Sequence, residues 1–204
     1  MATGLSQFDK PNIPELVLKD DKTLSNHMLE SVLGVFGGEK NSHVRHLVTN
    51  LVRRTFAAIE TYRLGRIHAL DYVNGHRHVH ITPYFRSLTF FETCIGYCWQ
   101  ATELVYSFPG PEKAFVKGDS SCWERLHGLY TVGTKHSYGK YDQALHKEMP
   151  TTIWLTNDGI ECIAGAKLTF IELTEIIAAN NDLFYDIQKS ARNRFQSKQE
   201  TVRG

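Results

Sequence analysis

Several groups of residues in the chain are of types, and at spacings, that can do chemistry. His76-Arg-His78-Val-His80 places three histidines at alternate positions. On an extended segment they share one face, and His-x-His on a strand can hold a transition metal. The segment is short, lies between two long helical patterns and has no carboxylate or further His close by, so an exposed polar connector is the competing reading. Glu92, inside an apolar stretch, is of the type that serves as a general acid or base; an ion pair with an arginine such as Arg86 is the structural alternative. Cys94 and Cys98 stand one helical turn apart, two ligands without a partner pair. The densest group lies between Ser121 and Leu173, where Arg125, His127, Tyr130, Lys135 and His136 fall within a few turns. No Gly-rich phosphate loop, His-Glu-x-x-His run or Gly-x-Ser-x-Gly elbow is present, and no cofactor is expected.

These residues must be positioned by the elements around them. Apolar residues at Val44, Leu47, Val48, Leu51, Val52, Thr55, Phe56, Ile59, Tyr62, Ile67 and Leu70 follow the three-to-four spacing of one buried helical stripe. They predict a long helix from about Ser42 to Val73, stopped by Asn74-Gly75. Thr82-Pro83 reads as a cap and first helical residue. The helix behind it, to about Phe108, is apolar nearly all round and belongs at the centre of a bundle. Ser121 with Glu124, and Thr169 with Glu172, are capping boxes opening two further helices. The first runs from Cys122 to about Thr131, with Gly133 ending or bending it before Lys135 and His136. Ile153-Trp-Leu and Ile160-Glu-Cys-Ile around Asn157-Asp-Gly read as a two-stranded hairpin whose Asp-Gly supplies a positive φ. A short helix from about Ser25 to Phe36 precedes all of these. The fold class expected is mainly α, a multi-helix bundle with one small β-hairpin near 152–163. Residues 1–20 form an extended arm, 21–190 a single helical domain and 191–204 a basic tail.

Composition narrows the classes. The chain has 204 residues, 42% hydrophobic and 22% charged, as an ordinary globular domain has. A net charge of +1 gives no global attraction to nucleic acid, so any such binding needs a local patch. The beginning of the chain lacks a signal-peptide pattern, and the apolar run Leu88–Phe108 carries Glu92, Gln100 and Glu103, which a lipid-facing span does not tolerate. A cytoplasmic protein without membrane contact is expected, with its four cysteines reduced and buried. Trp99, Trp123 and Trp154 are expected in the core rather than as base-stacking platforms.

Arg125-Leu-His-Gly-Leu-Tyr130, Lys135-His136, Ile153-Trp-Leu-Thr-Asn-Asp-Gly-Ile160 and Leu168-Thr-Phe-x-Glu-Leu173 together resemble a group of bacterial helical proteins of the HEPN superfamily. The likeness covers about 55 residues. Where that group has Tyr-Asn-x-x-Lys-His, this chain has Thr131 in place of Asn and one residue more before Lys135. The resemblance implies a helical bundle, usually a homodimer, acting in RNA cleavage or RNA binding without a metal, in bacterial defence or a toxin–antitoxin system. The partners it implies are RNA, a second copy and an antitoxin. It assigns Arg125 to the scissile phosphate, which guanidinium can grip bidentately. It gives His136, titrating near neutrality, the proton transfers at the ribose hydroxyl and leaving oxygen, with Lys135 adding positive charge. Arg63-Leu-Gly-Arg-Ile-His68 matches the family's Arg-x(4–6)-His spacing, but on an ideal helix the two side chains point roughly 140° apart. His127 and Tyr130 are secondary candidates. A non-catalytic dimeric interaction module of the same type is the first alternative, and a metal-binding protein using His76, His78 and His80 the second.

Overall fold

The computed structural model describes residues 8–18, 42–75, 81–107, 113–134 and 151–183. Within them the protein is mainly helical, with a small antiparallel sheet. Helix α1 is Ser42–Asn74 and helix α2 is Thr82–Val105, both as the periodicity predicts. They form an antiparallel hairpin. Tyr72 packs on Tyr84, and the Ser87 hydroxyl donates to the Gly65 carbonyl (2.8 Å). Tyr62 meets Phe91 edge to face, and the Cys94 thiol donates to the Ala58 carbonyl. Leu47, Leu51, Val52, Ala58, Ile59, Tyr62, Ala69 and Tyr72 are the buried stripe of α1. Ile67, expected on that stripe, is instead half exposed.

The start of α2 differs from expectation. Ile81, in helical backbone, is the cap position and makes no side-chain bond, so Thr82 is already helical with Pro83 behind it. Proline at this end removes an N–H that has no partner in any case, which is why the helix starts here without a polar cap.

Helix α3, Cys122–Leu129, opens on Ser121, whose hydroxyl accepts from Glu124 N (3.2 Å). The second half of the expected box is rearranged. The Glu124 carboxylate accepts from Gly118 N and Ser120 N, while Ser121 N donates to Asp119. After Leu129 the helix widens into one π turn, Tyr130–Thr134, where the sequence suggests an end or bend at Gly133.

The hairpin expected near 152–163 is present as β1, Ile153–Leu155, and β2, Gly159–Cys162. A third strand, β3, Lys167–Thr169, extends it in the order β1-β2-β3, with Ile160 opposite both Leu155 and Leu168. The turn chemistry is not as expected. Among the described residues the positive-φ positions are Gly118, Ser120 and Gly165, the last in the β2–β3 turn, so neither Asp158 nor Gly159 is left-handed. Gly159 is needed for room: a Cβ there would lie 2.1 Å from the Leu168 carbonyl oxygen.

Helix α4 follows β3 at residue 170 and is described to 183. Here the capping box is complete. Thr169 Oγ1 accepts from Glu172 N (3.1 Å) and the Glu172 carboxylate accepts from Thr169 N (2.9 Å). Phe170, Leu173, Ile176 and Ile177 join one core with Phe91, Ile95, Leu126, Leu129, Ile153 and Ile160. Tyr84 ties α2 to the sheet by accepting from Leu155 N (3.1 Å).

The described part of the N-terminal arm, 8–18, is extended but is docked, not merely laid over the surface. Phe8, Ile13 and Leu16 are buried, and Phe8 packs against Tyr72 and Tyr84. Asn157 is the anchor. Its Oδ1 accepts from Asp9 N and Lys10 N, its Nδ2 donates to Asp9 and its carbonyl accepts from Asn12 N. Tyr62 OH and Arg66 Nε donate to the carbonyls of Pro14 and Ile13. The first short helix and the basic tail fall outside the described residues.

Candidate functional site

Arg125 sits in the first turns of α3, where its guanidinium reaches the start of α4. One terminal nitrogen donates to Glu172, the other to the Ser120 carbonyl. Glu172 therefore serves two ends at once, capping α4 and holding Arg125. Both side chains are less than a third exposed (31% and 26%). A phosphate oxygen seeking this guanidinium has to compete with that carboxylate.

His127, two residues on, is enclosed by aromatic rings, 4.6 Å from Trp99 and 5.4 Å from Phe115 between centroids. Tyr130 is buried in the same cluster. Trp99 lies in the core as expected, while Trp123 and Trp154 are half-buried. Arg63 pairs with Glu60 (3.3 Å), and His68 lies flat on Phe90, 3.7 Å from Asp71. Glu60 and Asp71 lie on the same helix as Arg63 and His68, and Phe90 lies on α2. Lys135 and His136 are the next two residues after the π turn and lie outside the described residues, as do His76, His78 and His80. Among the described residues no group of three or more His, Cys, Asp or Glu could hold a metal. Cys94, Cys98 and Cys162 are buried free thiols and Cys122 is partly buried. The hydrogen bond with Cys94, together with burial, pushes the Cys98 thiol well up.

A cleft of about 420 Å³ opens where α1, α2 and the π turn meet, lined by Arg54, Glu92, Thr93, Gly96, Tyr97, Gln100 and Gly133. Its residues follow from helical spacing: Glu92, Gly96 and Gln100 recur every four positions, and Thr93 and Tyr97 flank them on one face of α2. Arg54 reaches across from α1 and lies over the Tyr97 ring, 5.5 Å from its centroid, a cation–π contact. Gly133 closes the third wall. A Cβ there would meet the Ile153 side chain at 2.1 Å and lie 4.0 Å from Glu92 Oε1. The π turn thus brings backbone against both the sheet and the cleft.

Glu92 makes no ion pair among the described residues, contrary to the expected pairing with an arginine such as Arg86. Burial pushes its carboxyl above the ordinary carboxylate range, because the charged form loses hydration. Gln100 Oε1 is enclosed without a hydrogen-bond partner among the described residues, which is costly for an acceptor. A perturbed acid, an orphaned amide and a cation in one concavity is the combination expected of a binding or catalytic site. The acid could be seen in the sequence; that Arg54 and Gly133 join it could not, since they come from elements 38 and 41 positions away.

No helix among the described residues is long and apolar enough to cross a membrane. No protein-family model, no curated protein and no solved structure matches the chain.

Proposed function

We propose that this chain is a HEPN-like helical protein that binds RNA and cuts it without a metal, in a bacterial defence or toxin–antitoxin setting. One observation carries the reading: the cleft holding Arg54 and Glu92 is walled by a π turn that runs directly into Lys135 and His136. Single π turns inside helices are frequent at functional sites. In this reading the positive charge of Arg54 and Lys135 draws the RNA in, and His136 moves the proton between the ribose 2′-hydroxyl and the leaving 5′-oxygen. Arg125, engaged by Glu172 and Ser120, is a brace for the site rather than its phosphate-holding group. The test is binding of a labelled single-stranded RNA at rising salt. The reading expects tight binding at low salt, weakened by salt as phosphate contacts require and weakened again by Arg54→Ala. Absence of RNA binding at low salt contradicts it.

A non-catalytic dimeric interaction module, its partner a second copy or an antitoxin, is the second reading. The observation favouring it is that Leu64, Ile67, Ile81 and Phe85 are all exposed at one end of the α1–α2 hairpin, and exposed apolar surface of this kind is commonly an interface. Sedimentation equilibrium of the purified chain tests its homodimer form: a dimer broken by Ile67→Glu supports it, and a monomer removes a second copy as the partner.

A further inference from the structure

The chemistry inside the cleft specifies which part of an RNA it suits, an inference that rests on the RNA reading above. A phosphate is poorly matched to the interior. Glu92 lines it, so an ionised carboxylate would stand against the ligand's own negative charge. Arg54 is the one cation among the described lining residues, and its guanidinium already lies over Tyr97. The other polar side chains lining it are neutral: Tyr97, the Gln100 amide and the Thr93 hydroxyl, whose hydrogen is committed to the Thr89 carbonyl (2.8 Å) and which is left as an acceptor. What these groups complement is a flat, neutral ligand with donors and acceptors along one edge.

The enclosed Gln100 oxygen asks for a donor. Gln100 lines the cleft, and its broad terminal torsion lets the amide present either oxygen or nitrogen. The glycines at 96 and 133 leave the side walls without side chains, and a volume of about 420 Å³ lies within the usual range for small ligands. The Arg54–Tyr97 pair adds a flat platform of the kind on which unpaired bases stack. We propose that the cleft receives one unpaired nucleobase of a single-stranded RNA, its edge hydrogen-bonded by Glu92 and Gln100 and its face against the Arg54–Tyr97 pair. The sugar and phosphates stay at the mouth.

The experiment is fluorescence anisotropy of the full chain with a short labelled RNA and with a strand of the same length whose ribose-phosphate backbone lacks bases. Wild type is expected to bind the abasic strand roughly tenfold more weakly, the size of one well-made base contact. Glu92→Gln and Gln100→Leu are expected to lower affinity for the RNA while leaving the abasic strand unchanged. Equal binding of both strands overturns the base seat and leaves the RNA reading standing. Binding of neither strand overturns both. A preference for the base-bearing strand that both variants, folded by circular dichroism, retain in full overturns the placement in this cleft.

Discussion

Arg125 donates to the carboxylate of Glu172, 47 positions further along the chain, while Glu172 also completes the capping box on Thr169. One acid therefore fastens the start of α4 and holds it against the start of α3. Because α3 continues into the π turn beside the cleft, this contact fixes an edge of the site without lining it.

A double-mutant cycle on Arg125→Ala and Glu172→Ala measures that brace. The side chains are partly buried and the contact is charged on both sides, so a coupling on the order of 1 kcal/mol is expected. Glu172→Ala alone destabilises more than Arg125→Ala, since it also removes the carboxylate half of the capping box on Thr169, a hydrogen-bond contribution of about 1 kcal/mol. Additive effects in denaturant unfolding would show that the ion pair contributes nothing.

Asn157 makes four hydrogen bonds to the N-terminal arm. Asn157→Ala removes the three made by its side chain, and at about 1 kcal/mol each it loses about 2–3 kcal/mol. Proteolysis between residues 8 and 18 should accelerate while the helical hairpin stays intact. Unchanged cleavage of the arm would mean that Phe8, Ile13 and Leu16 hold it without Asn157.

Glycine substitutions separate two kinds of close approach. At Gly159 the obstacle is β3 backbone, the Leu168 carbonyl oxygen at 2.1 Å and Thr169 Cα at 2.7 Å, which cannot move without breaking the strand pair. At Gly133 it is the far end of the Ile153 side chain, which can. Gly159→Ala is therefore expected to cost about 3 kcal/mol or more and Gly133→Ala about 1–2 kcal/mol. The reverse order in thermal unfolding would contradict this account of the sheet.

Glu92 sets a pH signature. Its folded-state pKa is raised by burial, so the folded state binds the proton more tightly than the unfolded chain. Its contribution to stability is fully present below the unfolded carboxylate value, about 4.3, and is lost as pH rises through the folded value. Glu92→Gln should raise Tm at neutral pH, with the gain disappearing as pH falls below that range. A gain that persists unchanged at acid pH would show that ionisation is not its cause.

The fold was largely legible because its signals are local. The stripe from Leu47 to Tyr72, the all-round apolar character of α2, and Ser121 and Thr169 as caps are all set by residues within a turn or two. Features made by distant segments were not. β3 is too short to carry a pattern, and its existence depends on Gly159 admitting the Leu168 backbone. The docking of the arm on Asn157 and the Arg125–Glu172 contact join positions 148 and 47 apart. Ile67 fits the helical period but is left half exposed by the elements packed around α1 among the described residues. The site divides in the same way: Arg125 and Glu92 were visible as chemistry, but what surrounds them belongs to the tertiary structure, with Arg125 held by Glu172 and Glu92 without an ion pair among the described residues.

The most direct test of an RNA-cutting role is incubation of a mixed RNA pool with wild type, His136→Ala, Arg54→Ala and Arg125→Ala, all in EDTA. The account predicts cleavage by wild type that survives EDTA, is abolished in His136→Ala and strongly reduced in Arg54→Ala. Folded Arg125→Ala should retain most of it. Equal cleavage by all four proteins, or none by wild type, would contradict it.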